Sequence, residues 1–227
     1  MDLEDAIATT RAIRRYTDEP VSDDDLAAIL FAATRAPSGS NRQPFRFLVL
    51  RDGPRAAEAK AVLGTAFRAA WGHKARSDGY DRGSGAEEDS PKARMARTMQ
   101  RFVDRFEATP VVILPCLQRY RPPNPTEGAS VYPACQNLLL AARARGLGGV
   151  LTMWHEPVEA DLRRILGIPD EVAIMGCIAL GHPEGAHGPV RRRPLGELVF
   201  EDGWGDAPAW AVDPPGTRHT AAGPPRK

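Results

Sequence analysis

The sequence predicts a single α+β domain, a sheet covered by helices. Three observations carry this. Apolar runs of strand length alternate with helical periodicities along the whole chain. Turn signals built on Gly and Pro separate them, and no internal repeat is visible. The length of 227 residues, 42% apolar and 26% charged, is ordinary for a globular chain that buries a large core.

Residues 2–9 read as a short helix with Leu3, Ala6 and Ile7 on one face. Thr9–Tyr16 follows, dense in hydrogen-bond donors, and Glu19-Pro20 ends any helix. Ser22 opens a clear helix. Asp23, Asp24 and Asp25 sit at its positive dipole end, and Ser22 with Asp25 has capping spacing. Leu26, Ile29, Leu30 and Ala33 form its buried stripe. Pro37–Pro44 is a turn-rich loop, and Phe45–Leu50 a strand. Pro54 to about Trp71 is helical, with Ala57, Ala61, Phe67 and Ala70 as candidate buried positions. Residues 76–91 are Gly, Ser, Asp and Glu with few apolar side chains, a surface segment expected to be mobile. Lys92–Phe106 returns as a helix, with Met95, Met99, Phe102 and Phe106 on one face. Residues 72–106 therefore read either as an insertion covering a pocket or as a solvated excursion.

Val111–Gln118 is a strand, and Pro122, Pro123 and Pro125 hold the next segment in a loop. Gly128 to Arg145 is a helix apolar on most faces, so it is buried on several sides or lies at a subunit interface. Gly146 suits its C-terminal cap. Val150–Trp154 is a strand, Pro157–Leu166 a short helix closed by Gly167, and Glu171–Leu180 the last core strand. Leu195–Phe200 is a candidate edge strand. The chain beyond Trp210 is rich in Pro and Gly, and 211–227 is expected to be a disordered tail after a domain of residues 1–210.

Charge and motifs exclude several functions. A net charge of +1 gives no support to a nucleic-acid partner. No apolar run approaches the roughly 20 residues of a membrane span. The acidic N-terminus has no secretory pattern, and Cys116, Cys135 and Cys177 each lie in apolar stretches, as buried reduced thiols would. A cytoplasmic compartment is the expectation. No cysteine or histidine spacing suits a metal, His182 and His187 included. There is no Walker loop, no nucleophile elbow and no dinucleotide fingerprint. An enzyme with this sequence needs a cofactor to carry the chemistry. Three segments stand out: Thr10–Tyr16 with Arg11, Arg14 and Arg15; the Pro37–Gln43 loop; and Arg191–Arg193. Planar cations suit a phosphate, and hydroxyls with amides suit a heterocycle edge, though each segment alone also reads as a solvated loop.

These segments resemble the nitroreductase family of FMN-dependent oxidoreductases. Arg11-Ala12-Ile13-Arg14-Arg15-Tyr16 is similar to its R-[RS]-S-x-R-x-[FY] element, and Ala36–Phe45 resembles A-P-S-x-x-N-x-Q-P-[WF]. Gly146-Leu147-Gly148, Leu166–Pro169, Leu180–Pro183 and Arg192-Arg193-Pro194-Leu195 follow in the family's order, over residues 3–200. The resemblance implies a nitroreductase-like α+β mixed sheet in an intertwined homodimer, with FMN at the subunit interface. It implies that Thr10, Arg11, Ala12 and Arg14 contact FMN, and Pro37, Ser38, Asn41 and Gln43 form the loop that reaches it from the partner. Leu151, Thr152 and Met153 would line the isoalloxazine, and Arg192 would bind the phosphate. No side-chain catalyst is implied. Hydride passes from NADH or NADPH to flavin N5 and on to an electron-poor acceptor such as a nitroaromatic or quinone, in ping-pong order. A dehalogenase or biosynthetic dehydrogenase with a dedicated substrate is the alternative, as is an FMN-sequestering protein without turnover. Ala12 replaces a usual Ser, and Trp154-His155 matches no motif, so His155 is either catalytic or packed.

Overall fold

The strand Val111–Gln118 (β2) lies at the centre of the molecule, and all but its last residue are buried. In this computed structural model, which describes residues 1–186 and 188–215, Val112, Leu114 and Cys116 enter one core and Val111, Ile113 and Leu117 another. A strand buried on both faces reads as a continuous apolar run, which is why this one was legible. His187 and residues 216–227, most of the expected tail, lie outside the described residues.

The sheet has the order β1-β2-β5-β3, with β1 at Phe45–Leu50, β3 at Gly148–Thr152 and β5 at Cys177–Gly181. The strand β4, Val172–Ile174, also pairs with β2, beyond β5 along the same edge. Among the described residues every strand pair is antiparallel, so within the chain the sheet is not mixed in direction as the resemblance implied. The single strand expected over Glu171–Leu180 is therefore broken in two. Cys116 faces Ile174 and Ile113 faces Ile178, so Leu114 and Pro115 oppose three residues, Met175, Gly176 and Cys177. This is a bulge, and its cause is Pro115. Proline has no N–H to give a central ladder, and a bulge is where a sheet tolerates it. The Pro115 carbonyl still accepts from Met175 N at 2.8 Å.

Helices cover both faces. On one lie α3 (Pro54–Ser77), α4 (Pro91–Asp104) and α6 (Glu159–Leu166); on the other lie α2 (Asp23–Ala33) and α5 (Tyr132–Ala144). The Ser22 hydroxyl caps α2 by accepting from Asp25 N at 3.0 Å, as the spacing predicts. Gly146 and Gly167, both left-handed, follow α5 and α6.

Four details depart from the sequence reading. The helix α3 runs six residues past Trp71. Its buried residues are Ala56, Ala59, Lys60, Leu63, Gly64, Ala66, Phe67 and Trp71, so of the predicted positions only Phe67 is buried, and Ala57, Ala61 and Ala70 are not. Alanines carry little directional signal, and a lysine on the buried face disguised it. Lys60 is buried because its ammonium donates to Thr109 O at 2.8 Å. On α1 (Leu3–Thr9), Ala6 is buried while Leu3 and Ile7 are exposed on this chain. Leu195–Phe200 forms no strand. Leu195–Glu197 is a 3-10 turn whose first N–H is taken by Asp213 Oδ1 at 3.0 Å.

Candidate functional site

The segment Thr10–Tyr16 is laid along the sheet by its backbone. Ile13 N donates to Gly149 O at 3.0 Å on β3, and Thr17 N to His182 O at 2.9 Å after β5. The Tyr16 hydroxyl donates between the Ile13 and Ala179 carbonyls, 2.6 and 3.1 Å away, and burial pushes its pKa far up. Alternate side chains are thereby aimed. Tyr16 packs against the core, while Arg14 turns into a cavity of about 270 Å³.

That cavity brings Arg14 together with Leu151 and Thr152, three of the residues singled out in the sequence. Its lining also takes in a roof made by Trp71 and Lys74 of α3, Met95 and Met99 of α4, and Tyr80 from the turn between them. Arg14 is half-buried and has no ion-pair partner among the described residues. Desolvation holds its pKa below the ordinary guanidinium value, an environment that favours an anionic or electron-rich guest beside it.

The surface segment 76–91, expected to be mobile, is tied down. Ser90 caps α4 by accepting from Ala93 N at 2.9 Å. Lys92 Nζ donates to Asp78 O at 2.9 Å, and Arg97 to Glu88 O at 2.6 Å, so α4 holds residues 78–89 by their carbonyls. Trp71 Nε1 donates to Gln100 Oε1 at 2.9 Å, and the Trp71 and Tyr80 rings stand 5.2 Å apart. Met95 and Met99, on one face of the helix that the sequence predicts within 72–106, do line a pocket. Sequence reasoning missed Lys74, because it ended α3 too early, and Trp154, for which no motif exists.

The second group lies elsewhere on the chain. Pro37 and Ser38 line a separate cavity of about 340 Å³ with Gly39, Tyr120, Asn124 and Ser130. Ser40, Asn41 and Gln43 in this loop all have left-handed backbones, with φ of 53°, 51° and 49°. Such residues cost of order 1 kcal/mol or more each, and strain of this kind collects at ligand-holding loops. Side chains hold it. Ser38 Oγ accepts from Gln43 N at 2.9 Å, Ser130 Oγ from Gly39 N at 3.2 Å, and Asn41 Oδ1 from Gln43 Nε2 at 3.2 Å. Asn124 Nδ2 is buried without a partner.

The third group sits beside the first. Val190 N donates to Ala8 O at 2.9 Å, which lays 188–192 against the end of α1. A Cβ on Gly188 would stand 3.4 Å from the Arg11 guanidinium, so Arg11 lies over this segment. Arg192 is exposed and donates to the Arg191 carbonyl at 2.9 Å. Thr10 Oγ1 donates to Ala6 O at 2.6 Å, Ala12 is exposed, and Met153 is 36% exposed at the end of β3.

His155 is not part of the cavity lining. It is buried, and one ring nitrogen, Nε2, meets Ile174 O at 3.2 Å. Burial holds its pKa below the ordinary value, so it is a neutral core residue. The three cysteines are free and buried, and burial pushes Cys116 to about 11 and Cys135 to about 12, which makes them unreactive at neutral pH. Among the described residues no cluster is placed to hold a metal, and no helix is long and apolar enough to cross a membrane.

Residues 7–182 match the model of the nitroreductase family. An NADH dehydrogenase of Thermus thermophilus is 32% identical over 208 residues, spanning 88% of this chain and 96% of its own length. A nitrobenzene nitroreductase of Ectopseudomonas oleovorans is 29% identical over 222 residues, 88% of this chain and 94% of that protein. A crystal structure from Desulfovibrio desulfuricans, solved in complex with FMN, is 32% identical and superposes with a TM-score of 0.65, covering 90% of this chain and 98% of that one. This chain belongs to the nitroreductase family.

Proposed function

We propose that this protein is an FMN-dependent oxidoreductase that takes hydride from NAD(P)H and reduces an electron-poor small molecule, as a homodimer with FMN between subunits. The observation that carries the reading is the cavity in which the unpaired Arg14 guanidinium faces the end of β3. The residues present fit the cofactor. Arg14 and Leu151 line the cavity and would meet the isoalloxazine, and Arg11, which lies over Gly188 a few residues before Arg191 and Arg192, would with them supply cations for its phosphate. The chemistry FMN supplies when bound is hydride exchange at N5. The chain holds the flavin, places positive charge where electron density accumulates, and excludes water under the α3–α4 roof. For a nitro acceptor the net change is R–NO2 + NAD(P)H + H⁺ → R–NO + NAD(P)⁺ + H2O.

The Pro37–Gln43 loop lines a different cavity from Arg14 in the same chain. A second copy, related by twofold symmetry, completes each site with its own loop. The exposed apolar residues Leu3, Ile7 and Phe31 suit such a partner surface. Three unpaired thiols accord with a reducing, cytoplasmic compartment.

Anaerobic addition of NADH or NADPH to the purified holoprotein tests the reading. Bleaching of the flavin bands within seconds, restored by a nitroaromatic or quinone, is expected. Absence of flavin with no FMN uptake overturns it, and bound flavin that stays oxidised favours an FMN-sequestering role. The roofed cavity also favours a second reading, a dehalogenase or biosynthetic dehydrogenase with one dedicated substrate.

A further inference from the structure

The lining of the cavity under α3 and α4 is of two chemical kinds. Arg14, Leu151 and Thr152 are the residues assigned above to the flavin. Trp71, Tyr80, Met95 and Met99 make up an aromatic and thioether slot, and Lys74 is the second cation in the lining. None of the residues lining the cavity is acidic. A cation at the rim of an aromatic slot is useful to a guest that is flat, apolar in its body and negative at one end.

We propose that Lys74 is a specificity-determining residue that selects aromatic acceptors carrying a carboxylate, with the ring in the Trp71–Tyr80–Met99 slot and the carboxylate on the ammonium. This rests on the reading of Arg14, Leu151 and Thr152 as flavin contacts. The placement of Lys74 follows from the helix. It lies three residues beyond Trp71 on α3, so both side chains occupy one face. Lys74 pairs with Asp78 one turn further on, and that bond keeps its pKa above the ordinary value. Asp78 is more than a third exposed, so the pair is solvated and exchangeable, and a substrate carboxylate competes with it. Lys92 lies 5.4 Å from the centre of the Tyr80 ring and binds the Asp78 carbonyl. A second ammonium therefore fixes the slot's far wall and adds positive potential behind it. Neutral quinones and nitrobenzenes fill the slot equally well but leave Lys74 with Asp78.

The pair 4-nitrobenzoate and nitrobenzene isolates the carboxylate, since they share ring and nitro group. The holoenzyme is first reduced anaerobically with NAD(P)H, then reoxidised by each acceptor, and the ratio of the two kcat/KM values is measured. Wild type is expected to favour 4-nitrobenzoate about tenfold after correction for intrinsic reactivity with free reduced FMN. Lys74→Met is expected to abolish that preference and Lys74→Arg to keep most of it. Asp78→Asn, which removes the competing carboxylate, is expected to raise it. Added salt should shrink the preference in wild type but leave Lys74→Met unmoved. A flavin that is reduced normally but shows equal corrected rates for both acceptors overturns this proposal alone. A preference that persists in Lys74→Met also overturns it. A flavin that NAD(P)H does not reduce overturns the underlying reading and this proposal with it.

Discussion

Arg14 is a guanidinium that shares its cavity with Trp71, Tyr80 and Trp154 and has no ion-pair partner among the described residues, which makes it the residue most dependent on a bound partner. Arg192 differs. It is exposed, and its role rests on its place beside the end of α1. Arg192→Ala is expected to weaken FMN by roughly 1.5–3 kcal/mol, the cost of a charge-assisted contact, read from fluorescence quenching on FMN titration. Unchanged affinity would contradict the phosphate assignment. His155 offers a different test. Its folded pKa is depressed, so the unfolded chain binds the extra proton and stability is lost as pH falls below about 6.5. His155→Gln keeps a donor for the Ile174 carbonyl and removes the titration. Its urea midpoint should fall less than that of wild type between pH 7.5 and 5.5. An equal fall in both would place the acid sensitivity elsewhere.

At the scale of elements, the roof depends on how α3 and α4 meet. Phe67 on α3 is fully buried and touches Phe106, Phe102 and Trp154, with ring centres 4.3, 6.2 and 5.6 Å away. Phe67→Ala should cost about 3–5 kcal/mol in chemical denaturation, because the surrounding rings cannot close the hole. Ser90→Ala removes the α4 cap at a cost of about 1 kcal/mol and frees the segment before it. Deleting residues 76–91 should abolish turnover of the dedicated substrate while NAD(P)H still bleaches the flavin. Retained turnover would show that the roof is not part of the acceptor site. The strand boundaries of β1 and β2 coincide with the sequence reading, since uninterrupted apolar runs between turn residues leave little choice. The start of β3 was read two residues late, because Gly148 and Gly149 look like a turn and yet pair with Gly181 and Leu180.

At the scale of the molecule, the Ser38 cavity and the Arg14 cavity are separate on one chain, so in the proposed dimer, where a second copy joins them, cofactor binding and association should be linked. Sedimentation of the holoprotein is expected to show a dimer, and dilution should release FMN over the range in which the dimer dissociates. A monomer that retains FMN would overturn the shared site. The chain's near-neutral balance fits this arrangement. A net charge of +1 is not the basic excess that a nucleic acid would require.

Sequence alone was enough for the α+β class, the capped α2, the strands β1 and β2 and the three arginine- and amide-rich segments, because each is written in local spacing. Helical and strand periods, turn residues and a run such as Ala36–Phe45 are decided within about ten residues. Only the tertiary structure decided that Pro115 breaks the last strand into β4 and β5, that Lys60 is buried, and that Leu195–Phe200 makes no strand. It also decided that Arg14 shares a cavity with Leu151 and Lys74, while Ser38 lies in another. Those facts join residues tens to more than a hundred positions apart, and they depend on which groups find a partner when the layers close. Spacing along the chain carries no record of that.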